Sequence, residues 1–159
     1  MNLRGQLPTF APVSTKIRLS ILSTGVVDAL GFANEFERRF TVDFLSEMKS
    51  NKYFGFVPAG SWTDDTSMML CLAQSISVVG GFDGADQMKR YARWRYEGYL
   101  SSVNFCFDVG NQIGRTIEIF SSCEEDHALA FRQIRKELSG EMNSGNGSLM
   151  RILPIGLVC

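Results

Sequence analysis

Between Thr63 and Gly81 the apolar residues Met68, Met69, Leu72, Ala73 and Ile76 recur at intervals of three and four, and Gly80 and Gly81 follow them. That spacing places one apolar stripe along a helix, and paired glycines supply a C-terminal stop, so the pattern predicts a helix over residues 64–79. The same periodicity predicts helices over residues 16–30, 83–97, 112–120 and 124–138 and an apolar helix over 148–159. Ser14 or Thr15 is the expected cap of the first, and Thr41 that of a short helix over residues 42–49. Gly55, Pro58 and Gly60 mark residues 51–62 as a loop that delivers the chain into Thr63. Strand-like alternation is almost absent, which makes the expected fold class all-α.

A chain of 159 residues is long enough to bury a core without staples, and one domain over residues 15–159, behind a flexible leader of residues 1–14, is the expected organisation. Sixteen basic and seventeen acidic residues leave a net charge of −1 without a basic run, so neither nucleic acid nor a membrane surface is an expected partner. The four cysteines show no CxxC spacing and the N-terminus has no signal-peptide core, which points to a reduced, intracellular (cytoplasmic) protein. The longest apolar run, residues 152–159, is too short to span a bilayer. Exposed at the chain end, it is an expected site of self-association.

Three segments offer chemistry. Thr63, Asp64, Asp65 and Thr66 stand at a loop-to-helix junction. Their carboxylates and hydroxyls are hard oxygen ligands for Mg²⁺ or Mn²⁺, or, equally physically, a helix cap with acids at the positive end of the dipole. Glu35 follows Asp28 by seven residues, which places it two turns on along a continuing helix, either facing the same site or solvated at the helix end. Asn143, Ser144, Gly145, Asn146, Gly147 and Ser148 combine glycines with free amides before an apolar segment, suited to a phosphate or ribose or forming a plain loop. Asp108 and Asn111 either orient a ligand or cap the next helix. The single histidine, His127, sits among acids and reads as a surface residue. A zinc site is not supported, and neither is acyl transfer, since no Gly-x-Ser-x-Gly elbow occurs.

In order, Asp28-Ala-Leu-Gly-x-x-x-Glu35, Gly60-Ser-Trp-Thr-Asp-Asp-Thr66, Phe107-Asp-Val-Gly-Asn111 and Gly145-Asn-Gly-Ser-Leu-Met-Arg151 resemble the ADP-ribosylglycohydrolase family. The resemblance implies an orthogonal multi-helix fold with a binuclear Mg²⁺ or Mn²⁺ centre. It also implies hydrolysis of the glycosidic bond between ADP-ribose and a protein side chain or small acceptor. Under it Thr63, Asp64, Asp65 and Glu35 are metal-site residues, Glu35, Asp64 and Asp65 are catalytic, and residues 143–148 bind the phosphates and ribose. The expected partners are therefore ADP-ribosylated proteins or small ADP-ribosyl compounds. Val27 stands where the family usually has glycine, and Ile113 where a hydroxyl residue is common. Family members also continue into a second aspartate- and threonine-containing metal motif, so the chain reads as the N-terminal part of such a domain, truncated at its C-terminus. That leaves, as the alternative, a catalytically inactive relative that binds ADP-ribose or has a structural role. A helical interaction module whose Thr-Asp-Asp-Thr is only a cap is a third reading.

Overall fold

A computed structural model describes residues 12–140 and 145–158. Its helices are α1 (Val13–Gly31), α2 (Asp64–Val79), α3 (Gly84–Glu97), α4 (Asn111–Ser122), α5 (His127–Leu138) and α6 (Leu153–Val158), and no strand occurs among the described residues. The all-α expectation holds, and no helix among those residues is long and apolar enough to cross a membrane. Residues 1–11 of the expected leader lie outside the described residues, whereas Val13 and Ser14 already belong to α1.

Helix ends follow local chemistry. Gly80 closes α2 in the left-handed conformation at φ 76°. Asp83 caps α3 by accepting from the amides of Ala85 and Asp86 at 2.8 and 3.0 Å. Asp126 does the same for α5 through Leu129 N at 2.8 Å, so this helix starts at His127 and not at Glu124, whose φ is 46°. Neither Ser14 nor Thr15 caps α1; its N-cap is Pro12, without a side-chain bond. Residues 42–49 form no helix, contrary to expectation. The Thr41 hydroxyl turns back to donate to Arg38 O at 2.7 Å, and Phe40 and Phe44 are 101% and 93% exposed. A helix that short is not stable without a buried face, and this segment buries none. Of the expected final helix over residues 148–159 only α6 forms, with Pro154 in the first turn that tolerates it, and a 3₁₀ turn at Asn146–Ser148 precedes it.

α2 packs on α3, α3 on α4 and α4 on α5, while α6 returns to α2 and α1 touches α2. Met68, Cys71, Met88, Tyr91, Trp94, Ile117, Phe120 and Ala130 form the main core. Each large apolar side chain there contributes about 1.5–3 kcal/mol by leaving water. Phe32, Val57 and Phe107 make a smaller core beside the long loop. α1 is the poorly covered element: only Ala29 is buried, and Leu19, Leu22, Val26 and Val27 face outward. His127, expected at the surface, is half-buried and stacks on Phe120 with ring centroids 5.2 Å apart.

Candidate active site at the start of the second helix

The loop before α2 is held to the segment after α3. Trp62 Nε1 donates to Leu100 O at 3.4 Å, and Ser102 Oγ donates to Trp62 O at 2.8 Å. These contacts fix where Thr63 begins the helix. Thr63 is the N-cap and accepts from Asp65 N at 3.4 Å, as the cap reading expects.

A second cap reaches the same helix from α1. Asp28 Oδ2 accepts from Thr63 N at 3.0 Å, Thr66 N at 3.1 Å and Thr66 Oγ1 at 2.6 Å, and Oδ1 accepts from Thr63 Oγ1 at 2.9 Å. One carboxylate thus satisfies two amides that the helix cannot satisfy internally. With Asp28 and the Thr63 hydroxyl serving the backbone, Asp64 and Asp65 remain for other chemistry.

Asp64 is 8% exposed. Burial pushes its carboxyl up to about 8, with Asp108, then Asp65 and Asp28, adding repulsion. Asp65 is raised first by burial and then by Asp28.

Glu35 does not extend α1 as expected. The chain leaves the helix in a 3₁₀ turn at Phe32–Asn34, and Glu35 follows in extended backbone. Asn51, 1% exposed, pins that turn by donating to Phe32 O at 2.7 Å and Glu35 O at 3.3 Å. Glu35 is thereby brought to the side of Asp108. Burial first, then the Asp108 charge, pushes Glu35 up to about 8. Burial also raises Asp108. Glu35 Oε2 and Asp108 Oδ2 are buried and have no hydrogen-bond partner among the described residues.

Sequence reasoning underrated three residues here. Asp108, expected either to orient a ligand or to cap the next helix, makes no side-chain cap to α4 and lies beside Glu35, with its backbone at φ 51°. Asp28 carried a motif but no role. Asn51 had no signal in the sequence beyond being an amide at the start of a loop.

The glycine segment borders a cavity that none of these acids lines. Asn143 and Ser144 lie outside the described residues. Gly145, Gly147 and Ser148 line a cavity of about 330 Å³ with Gln112, Thr116 and Arg151. Asn146 instead closes the turn, its carbonyl accepting from Leu149 N and Met150 N at 2.8 and 3.1 Å. Met68, one turn along α2 from Asp64, lines the same cavity, and Met150 lines a shallower hollow with Asp28 and Asp65. Ile113 lies so close to Gly147 that a β-carbon there would be 2.8 Å from Ile113 Cδ1.

The donor chemistry at this site fits a hard divalent cation: carboxylates that raise one another's proton affinity, and two buried oxygens without donors. As they stand, however, no three histidine, cysteine, aspartate or glutamate side chains among the described residues are grouped to hold one ion. The acids form a shell around the start of α2 without converging on one point.

A family model described as ADP-ribosylglycohydrolase matches residues 11–159. The chain is 31% identical over 143 residues to the ADP-ribosylarginine hydrolase Tri1 of Pseudomonas putida, covering 87% of this chain and 34% of that protein. It is 30% identical over 149 residues to the ADP-ribosyl-[dinitrogen reductase] glycohydrolase of Rhodospirillum rubrum, covering 87% and 42%. With the ADP-ribosylhydrolase ARH3 of Gallus gallus it shares 30% over 98 residues, or 61% and 24%. The chain therefore spans less than half the length of these relatives. A helical fold, an acid-rich start to α2 and a family match across nearly the whole chain lead to one conclusion: this chain belongs to the ADP-ribosylglycohydrolase family.

Proposed function

We propose that this chain supplies the first half of an active site that hydrolyses the glycosidic bond between ADP-ribose and a protein side chain or small acceptor, with divalent-metal assistance. The pair of buried, donorless oxygens on Glu35 and Asp108 beside Asp64 carries this reading, because such a pair is costly unless a cation or proton transfer uses it. Thr63, Asp64, Asp65 and Glu35 would hold Mg²⁺ or Mn²⁺, which supplies charge stabilisation and an ordered water. Gly145, Gly147 and Ser148 receive the phosphates and ribose in the adjoining cavity, together with the flanking Asn143, Ser144 and Asn146. The Glu35 carboxylate takes the proton of the water that adds to the ribose carbon and passes it to the leaving group as that group's bond to the ribose carbon breaks. The relatives' names, which mention arginine and dinitrogen reductase, support an ADP-ribosylated substrate and leave the acceptor of this chain open.

The test is titration of the chain with ADP-ribose, with and without Mg²⁺, beside an Asp64→Ala, Asp65→Ala double variant. Metal-dependent binding that the variant loses is the expected result, and binding indifferent to both metal and variant would sink the metal-assisted reading. A second reading, ADP-ribose binding without turnover, is favoured by the absence of a converged three-ligand cluster among the described residues. It predicts ADP-ribose affinity with no release of acceptor from an ADP-ribosylated substrate.

A further inference from the structure

The first helix turns an apolar crest to solvent. Leu19, Leu22 and Val26 recur at three and four, which sets them on one side of α1, and they are 56%, 63% and 54% exposed. On the inner side Ile17, Ile21 and Thr24 are only half-buried, so the helix is held to the rest of the chain by its inner edge alone. A helix at the surface of a core carries its apolar stripe on one side, whereas α1 carries one on each, and the outer stripe is left in water. Leu19, Leu22, Val26 and Val27 together expose on the order of 400 Å². That is close to the apolar share of the roughly 800 Å² which one partner gives to a standard protein interface.

Charge beside this crest is divided between its two ends. From Val13 to Val27 the helix has two charged residues, Lys16 and Arg18, and no acid. At the other end Asp28 and, from α2, Asp65 border a shallow hollow with Ser23, Thr24 and Val27. Lys16, Ser23 and Val27 follow one another at intervals of seven and four, so the cation and the hollow lie on one flank of the helix. Along the axis they are about 16 Å apart, too far to meet within one helix. Lys16 is exposed and pairs with no acid among the described residues. A second α1 laid antiparallel across the first brings the two ends together. The two-fold axis that sets Leu22 against Leu22 sets Lys16 of each copy beside Val27 and Asp28 of the other, whereas parallel helices would set cation against cation.

We propose that two copies of this chain pair through α1, antiparallel about Leu22, with Leu19, Leu22 and Val26 of each interlocked and Lys16 of each seated at the acid-rimmed hollow of the other. Both copies use the same surface, so the assembly closes at two. The pairing covers the helix whose Asp28 fastens the start of α2, and it does not rest on the hydrolase reading.

The experiment is sedimentation velocity of the whole chain over a wide range of concentration, with a chelator present because Asp65 also belongs to the proposed metal site. A monomer–dimer equilibrium that goes no further is expected. Leu22→Asp, which sets two like charges at the centre of the contact, is expected to leave a monomer with unchanged far-ultraviolet circular dichroism. Lys16→Glu is expected to raise the dimer dissociation constant about ten-fold, because symmetry removes two ion pairs at once, and added salt to weaken the wild-type dimer. Val27→Lys alone is expected to weaken it as well, by facing Lys16 of the other copy. Combined with Lys16→Glu it exchanges the signs at the two ends, and the double variant is expected to recover part of the loss, an outcome that does not depend on how Leu22→Asp folds. A chain monomeric at every concentration overturns the proposal and assigns the crest to a segment folded over it in cis. So does a dimer indifferent to Leu22→Asp, which would lie on another face such as that of α6. Association lost in Leu22→Asp but untouched by salt, by Lys16→Glu and by the double variant overturns the antiparallel arrangement. Species that keep growing with concentration overturn it too, since a two-fold contact closes.

Discussion

Thr66 Oγ1 donates to Asp28 Oδ2 at 2.6 Å, and the same oxygen takes the amides of Thr63 and Thr66. The last turn of α1 is thus fastened to the first turn of α2 through one side chain. Little else fastens it, since α1 buries only Ala29.

Removing that carboxylate strands two amides and two hydroxyls at a largely buried helix start. Asp28→Ala is expected to cost about 3 kcal/mol of unfolding free energy, and Asp28→Asn, which keeps one accepting oxygen, about half as much. Urea denaturation of the three proteins measures this. Equal stability of Asp28→Ala and wild type would show that α1 is held by apolar contact alone.

The raised acids set a pH dependence for the metal-free chain. Glu35 and Asp64 both titrate near 8 when folded, against ordinary values of 4.5 and 3.8. Across that window the folded state binds more protons than the unfolded state, so stability falls as pH rises. The contribution is fully present below about pH 4 and lost as pH passes about 8. With a chelator present, melting temperature is expected to drop between about pH 5 and about pH 8, and a Glu35→Gln, Asp64→Asn variant to flatten the curve. A metal-free chain whose stability is level across this range would place these groups in water.

The helices and their caps were legible because they depend on neighbours in sequence. Thr63 before Asp64 and Gly80 after Val79 bound α2 as periodicity and capping chemistry require. Where that logic failed, a tertiary fact decided. Thr41 looked like a cap, but the segment after it finds no face to bury and its hydroxyl serves Arg38 instead. Glu35 looked like the continuation of a helix, but Asn51, sixteen residues on, bends it toward Asp108. Acids from separate segments, Glu35, Asp64 and Asp108, meet only after folding, so their raised proton affinity had no local signature. The four motifs in order supplied what no single segment did.

Gly98 ends α3 at φ 72°, with Tyr99 N donating to Arg93 O at 3.3 Å. A β-carbon at Gly98 would lie 2.1 Å from the carbonyl oxygen of Asn104. Backbone cannot step aside as a side-chain tip can, and this loop leads to Asp108. Gly98→Ala is therefore expected to destabilise the chain by about 2–4 kcal/mol. It should also weaken ADP-ribose binding, whereas Gly81→Ala, with open space around it, does neither. Paired melts and titrations separate the two.

Ile113 and Gly147 make the last test, because their contact joins the start of α4 to the glycine segment across the cavity. A β-carbon at Gly147 meets Ile113 Cδ1 at 2.8 Å and Cγ1 at 3.1 Å. The clash is with the mobile end of a side chain, so Gly147→Ala is expected to cost only about 1 kcal/mol in stability. Its larger effect falls on the loop, which must lift away from Gln112 and Ile113 and carry Ser148 with it. ADP-ribose affinity should fall about ten-fold, that is about 1.4 kcal/mol. Shortening the partner makes room: in an Ile113→Ala background the same Gly147→Ala change should cost little affinity, giving a coupling between the two sites of about 1 kcal/mol. If the two losses simply add, the cavity between α4 and the glycine segment is not where the ligand sits, and the hydrolase reading loses its phosphate pocket while keeping its acids.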